Sequence, residues 1–263
     1  MNGLFLQGGG AKGAFQAGAI YALYERGIKF KYLSCTSIGA VNGYFIYKNK
    51  LDEMREFYTK NDIKSLVDKL KVTNIIPNDY LINEISQLCG ENNNYINGFY
   101  VNYSKVTGKS IEEIRNDLTK LSNEDAINCI KYSSLLPYVI STDEEKIEFN
   151  QVAKTFDSKR VMKDFKTKLN EGAYDKMNID GGVLNNNFME PFIDKKVDKL
   201  YLIALHNGFE IPTYILNKYK REEIVLIQRE NNYNSNDSLN YSKEFLKLLF
   251  KQGYTQGLKA INN

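Results

Sequence analysis

The chain has one histidine, His206, among its 263 residues. No multi-histidine metal centre can be built from it, and any histidine-dependent catalysis must use that one side chain. Cysteine is also scarce. Cys35, Cys89 and Cys129 form no Cys-x-x-Cys pair, which excludes a disulfide framework and reads as reduced thiols. Neither sign of charge dominates: 35 Lys and Arg face 32 Asp and Glu, a net charge of +3. That balance excludes nucleic acid as the expected partner and leaves at most a mildly basic face. No apolar run approaches the roughly 18 residues of a membrane span. The N-terminus has neither the basic stretch nor the apolar core of a signal peptide. A cytoplasmic protein is expected, with leaderless export left open. There is no internal repeat and no Pro/Ser-rich linker, so residues 1–263 are read as one domain.

What is present is an ordinary globular mixture, 43% hydrophobic and 25% charged. The apolar run Gly3 to Gln7 meets three glycines, as a buried strand does on entering a tight turn. Ala14 to Glu25 has helical spacing, with Gly27 as its C-cap. Lys31 to Thr36 reads as a second strand and Ile38 to Tyr47 as the helix after it. This β-loop-α-β-turn-α order predicts an α/β fold with a mostly parallel sheet. The middle, about 51–121, reads as a helical insertion, with helices at Leu51 to Tyr58, Asp62 to Leu70 and Ile111 to Leu118. Ser110 and Glu113 have capping-box spacing for the last of these. Ser122 with Asp125 opens a helix expected to run towards Leu136 and stop before Pro137. Ile147 to Phe149, Tyr174 to Ile179, Leu200 to Leu205 and Glu223 to Gln228 read as strands. Tyr241 to Gln252 reads as an amphipathic helix capped by Gly253.

Three constellations could carry chemistry. Gly8-Gly9-Gly10-Ala11-Lys12-Gly13 lies between a strand and a helix. It can be a tight turn, a dinucleotide loop through Gly8, Gly10 and Gly13, or a set of N–H donors for a developing oxyanion. The dinucleotide reading wants an acidic residue at the end of the second strand, where the chain instead reads Ser34-Cys35-Thr36-Ser37. Cys35-Thr36-Ser37-Ile38-Gly39 has the layout of a nucleophile elbow with its first glycine replaced by cysteine. Ser37 could equally be a helix N-cap. Asp180-Gly181-Gly182-Val183 is either a turn or an aspartate at a strand end facing Ser37. His206 follows a strong strand, and the order Ser37, Asp180, His206 is that of α/β-hydrolase triads, which makes a triad a rival reading. Cys89 and Cys129 lie in apolar-spaced segments and read as core.

Taken in order, these blocks resemble the patatin-like phospholipases, a family of lipid acyl hydrolases. The resemblance rests on Gly8 to Gly13 after the first strand, the serine elbow at Ser37, and the segment Ala126 to Pro137. It rests also on Asp180-Gly181-Gly182-Val183 with Asn185 and Asn186, and on Phe250 to Tyr254. It implies a three-layer α/β/α fold and a Ser–Asp dyad without a catalytic histidine. Carried over, Ser37 is the nucleophile and Asp180 the base. The N–H groups of Gly9, Gly10 and Ala11 form the oxyanion hole, and Lys12 lies beside that loop where it could meet an anionic head group. An unperturbed carboxylate, with a pKa of about 3.9, is a feeble base for a hydroxyl. Burial between loop and elbow would strengthen it. The resemblance implies no cofactor or metal, and a phospholipid or other acyl-ester lipid at a membrane surface as partner. Oligomeric state is not legible. Two departures stand out: Cys35 in place of the elbow glycine, and an Asn-rich run reaching Phe188 and Pro191 in place of the family's Asn-x-Pro. The alternatives carried forward are a triad esterase using His206, a nucleotide-binding module, and a lipid-binding homologue without turnover.

Overall fold

The computed structural model describes residues 1–142 and 144–262. It opens with β1 (Asn2–Leu6), α1 (Gly13–Glu25), β2 (Tyr32–Thr36) and α2 (Ile38–Tyr47). Helices α3 (Leu51–Thr59) and α4 (Ile63–Val67) follow, then the short β3 (Lys71–Val72) and α5 (Asp79–Ser86). A long hairpin, β4 (Gly98–Thr107) and β5 (Ser110–Asp117), leads to α6 (Asn123–Ser133). Next come β6 (Ile147–Glu148), α7 (Phe149–Thr155), α8 (Ser158–Asn170), β7 (Asn178–Asp180), α9 (Gly182–Asn185) and α10 (Pro191–Asp194). The chain closes with β8 (Lys199–Ile203), α11 (Thr213–Leu216), β9 (Ile224–Ile227) and α12 (Lys243–Asn262).

The main sheet has the order β5-β4-β2-β1-β8-β9, with β7 also paired to β4. Strands β4, β2, β1, β8 and β9 run parallel, while β5 and β7 are antiparallel to β4. A parallel sheet must be covered on both faces, and the alternation of side chains shows how. Leu4 and Leu6 of β1 face one apolar cluster together with Tyr201 and Ile203 of β8. Phe5, Leu200 and Leu202 face a second, covered by Met189, Phe192 and Ile215. The result is the expected α/β/α layering. A third cluster packs Phe165 and Leu169 of α8 against Val106 and Ile179 at the far end of β4 and β7.

Several expectations need correction. The span 51–121 is helical only in its first half; its second half is the β4–β5 hairpin. Ile111, Ile114 and Leu118 mimic a helical period, and Ser110 and Glu113 mimic a capping box. Yet Ser110 pairs with Thr107 across a two-residue loop at Gly108 and Lys109, where Gly108 takes φ +60°. The pairing partners, eight residues of β4, outweigh a weak local preference. Gly253 does not end the last helix either. α12 runs through it because α1 and α12 cross there in close contact: a Cβ on Gly253 would lie 1.9 Å from the Phe15 carbonyl oxygen, and one on Gly18 would lie 2.0 Å from that of Phe250. Helices α5, α7 and α8 were not expected, Cys89 is exposed and not core, and the other differences are of length. Tyr174 belongs to a turn, with β7 confined to Asn178–Asp180, and α6 stops at Ser133.

Candidate active site

Ser37 is the residue between the end of β2 and the start of α2. Its backbone has φ +56° and ψ −126°, a left-handed conformation that side-chain-bearing residues rarely adopt. Such strain costs on the order of 1–3 kcal/mol and persists only where the surroundings enforce it. They do so here. The Ser37 N–H donates to Ser133 Oγ at 2.8 Å, and its carbonyl accepts from the Ala40 N–H at 2.8 Å. A Cβ on Gly39 would lie 2.3 Å from the Leu6 carbonyl oxygen, so strand and helix meet too closely there for any other residue. The Ser37 side chain does not cap α2. Its hydroxyl donates instead to Asp180 Oδ2 at 2.5 Å.

Asp180 is the last residue of β7 and is held from four directions. Its N–H donates to the Leu135 carbonyl at 2.8 Å, and its own carbonyl accepts from Ser104 Oγ at 3.1 Å. Its Oδ1 accepts from the Gly182 N–H at 2.7 Å, while Oδ2 receives Ser37. Gly181 cannot carry a side chain, because a Cβ would lie 2.4 Å from the Asn102 carbonyl oxygen. Burial pushes the carboxyl up from its ordinary 3.8 to about 6, against the opposing effect of the bonds from Ser37 and Gly182. Desolvation wins because the charged form loses more hydration than two hydrogen bonds return.

The Gly-rich loop passes beside the serine: a Cβ on Gly8 would lie 3.0 Å from Ser37 Cβ. Gly10 takes φ +58°, and a Cβ there would lie 2.2 Å from the Ser238 carbonyl oxygen. The Gly8 N–H is taken by Asn186 Oδ1 at 2.8 Å, and the Lys12 N–H by the Gly9 carbonyl. The N–H groups of Gly9, Gly10 and Ala11 have no acceptor among the described residues. Gly13 begins α1 with no room for a side chain against Ile38. Lys12 departs from its expected position. It is 7% exposed, donates its ammonium to the Leu205 carbonyl at 3.0 Å and lies over the Tyr233 ring. Burial pulls its amine down to about 8, with Asp237 acting against the shift. It braces the loop from inside instead of meeting a head group.

Cys35 is accommodated by a glycine on the facing helix. Its buried Sγ fills a notch in α2 opposite Gly43, where a Cβ would lie only 3.0 Å from the sulfur. Burial pushes the thiol up, so it stays protonated. His206 makes no hydrogen bond to Ser37 or Asp180 among the described residues. Its Nε2 lies 3.0 Å from Asn186 Nδ2.

Ser37, Asp180 and Gly8 to Gly10 share the wall of a cleft of about 160 Å³. Its remaining lining is largely apolar and includes Ile76, Leu81, Leu136, Phe156, Val161 and Met162. α7 and α8, which supply part of that wall, have no counterpart in the sequence reading. Also missed were the positioning roles of Gln7, Asn187 and Ser133, which with Asn186 hold loop and elbow in place. The signal for the asparagines was visible as the Asn-rich departure after Gly182. Among the described residues no group of three His, Cys, Asp or Glu converges as a metal site would need, and no helix is long and apolar enough to cross a membrane.

A mostly parallel sheet between helical layers, with a glycine loop after its first strand and a strained serine after its second, defines the patatin-like α/β class. The chain belongs to the patatin-like phospholipase family, whose description matches residues 4–193. The Phe250 to Tyr254 region lies beyond the matched residues. Among solved structures, VipD from Legionella pneumophila is similar with a TM-score of 0.55 and 13% identity, over 99% of this chain and 66% of that one. The ExoU–SpcU complex from the type III secretion system of Pseudomonas aeruginosa is similar with a TM-score of 0.44 and 13% identity, over 100% of this chain and 51% of that one. At such identities the VipD likeness concerns the fold. No curated protein matches the chain.

Proposed function

We propose that the protein is a serine lipid acyl hydrolase of the phospholipase A type, acting through a Ser37–Asp180 dyad. Family membership supports the substrate class, acyl-ester lipids presented at a membrane surface. The observation that carries the chemistry is the 2.5 Å bond from Ser37 Oγ to Asp180 Oδ2 beside three unclaimed N–H groups and an apolar cleft. In the acylation step the Asp180 carboxylate takes the hydroxyl proton as Ser37 Oγ attacks the ester carbonyl. The carbonyl oxygen becomes an oxyanion that Gly9, Gly10 and Ala11 N–H groups stabilise; one such donor is typically worth about 3 kcal/mol. Collapse expels the alcohol, which receives the proton from Asp180. Deacylation repeats the sequence with water: Asp180 takes its proton, the hydroxide attacks acyl-Ser37, and Ser37 is returned with its hydrogen. The scheme requires no cofactor.

The cleft's apolar wall suits the acyl chain, and the strained backbone at Ser37 holds the hydroxyl out of the sheet towards it. His206 takes no part as a base, since its Nε2 already faces an amide donor. The test is hydrolysis of a nitrophenyl acyl ester. Ser37→Ala and Asp180→Asn should each lower kcat by about a thousandfold or more. A fluorophosphonate should label Ser37 alone, and full activity in Ser37→Ala would overturn the reading.

A further inference from the structure

Two consecutive asparagines clamp two consecutive residues of the loop. Gly8 N–H donates to Asn186 Oδ1 at 2.8 Å, and Gln7 Nε2 donates to Asn187 Oδ1 at 2.7 Å. The Gln7 Oε1 in turn accepts from the backbone N–H groups of Leu205 at 2.8 Å and His206 at 3.1 Å. The His206 ring closes the circuit through Asn186 Nδ2 at 3.0 Å. The result is a closed circuit, hydrogen-bonded except for the Gln7–Gly8 peptide link, that runs from the His206 ring to Asn186, Gly8, Gln7 and back to the His206 backbone.

The donors and acceptors in this ring can be assigned. Gly8 N–H can only donate, so the Asn186 atom facing it is the oxygen, and the atom facing His206 is the NH₂. The imidazole must therefore present Nε2 as an unprotonated acceptor and carry its proton on Nδ1. Partial burial and the nearby Lys12 charge push the imidazole below its ordinary 6.5, which favours that neutral form. The same NH₂ also donates to the Gly8 carbonyl at 3.3 Å; a ring that presented Nε2–H instead would face it donor to donor, and an amide turned to suit that ring would set its NH₂ against the Gly8 N–H. The loop would then lose its anchor one residue before the three unclaimed N–H groups.

We infer that His206 is a positioning residue: by accepting from Asn186 it orients the amide that anchors Gly8 and so holds the Gly9 to Ala11 N–H groups in register with Ser37. This rests on the acyl-hydrolase reading above, and it gives the single histidine a task other than proton transfer.

The experiment uses the full chain, labelled with ¹⁵N, and a nitrophenyl acyl ester. One histidine means one set of imidazole signals. In the unaltered protein these should report the Nδ1–H tautomer, with Nε2 accepting. His206→Leu should move the Gly8 amide signal and lower kcat about fivefold with KM little changed, the size expected for one lost hydrogen bond. His206→Gln, whose Oε1 can accept from Asn186, should restore both. An Nε2–H tautomer, a Gly8 amide unmoved in His206→Leu, or a His206→Gln enzyme as slow as His206→Leu would each overturn the inference. Should His206→Leu fail to fold, the tautomer measurement still decides. Should the unaltered protein hydrolyse no ester, the acyl-hydrolase reading falls, while the two spectroscopic arms still judge the positioning claim.

Discussion

In the proposed mechanism Asp180 is the residue on which both chemistry and stability turn. A base must be ionised to act, and this one titrates near 6 because burial favours its neutral form. The expected kcat/KM therefore rises about tenfold per pH unit up to about 6 and levels off above it. The stability consequence has the opposite sign. The folded carboxyl binds its proton more tightly than the unfolded one, so stability is retained at low pH and lost as pH climbs from about 4 to about 6. Asp180→Asn removes the group that must ionise in a buried place. At neutral pH it should be more stable than the unaltered chain, by up to about 3 kcal/mol for a shift of this size, and near pH 4 the two should nearly coincide. Urea denaturation at both pH values checks this; equal gains at both would show that desolvation is not the cause. Ser37 and Asp180 were both legible as residues, since each sits in a glycine-flanked block at a strand end. The supports around them were not. Ser133, Gln7 and Asn187 act through hydrogen bonds that join residues 96 to 180 positions apart, and no local pattern announces a bond of that span.

Among the elements, α1 and α12 show how a glycine can be misread. Glycine after an amphipathic stretch usually ends a helix, yet Gly253 lies within α12 because its missing side chain admits the Phe15 carbonyl. Gly253→Ala should destabilise the fold by about 1–3 kcal/mol, the range for overpacking a close contact. Gly257→Ala, whose Cβ would lie 2.8 Å from the Ala19 carbonyl oxygen, should cost less. A shift in denaturation midpoint measures both, and a neutral Gly253→Ala would restore the capping role. The first four elements were legible because each is short, apolar or cleanly periodic, and glycine marks the turns. The β4–β5 hairpin was not. β5 lies at the sheet edge, where burial alternates only weakly, and its strand character comes from pairing with β4 along its whole length. α7 and α8 were missed for a different reason. α8 carries Val161, Phe165 and Leu169 at helical spacing, but so many lysines and other polar residues intervene that the apolar stripe is thin.

For the molecule as a whole, α8 sets the size of the cleft. Val161 and Met162 line the cavity that Ser37 shares, while Phe165 and Leu169 anchor the helix to the far end of β4. Met162→Trp should narrow the cleft without disturbing the sheet. Nitrophenyl palmitate should then lose more kcat/KM than nitrophenyl butyrate. An unchanged ratio would place the acyl chain elsewhere.

The sheet itself carries a consequence for how such a protein can change over time. Strand β4 pairs with β2 through Asn102, opposite Thr36, and with β7 from Tyr103, opposite Asp180. The neighbour of Ser37 and Asp180 itself thus rest on adjacent links of one strand. That single peptide acts as a gauge block, and the gap between alcohol and acid is copied from it. Loops elsewhere can lengthen, shorten or acquire whole new segments without altering the gap, whereas one residue slipped into the middle of β4 would pull the pair apart.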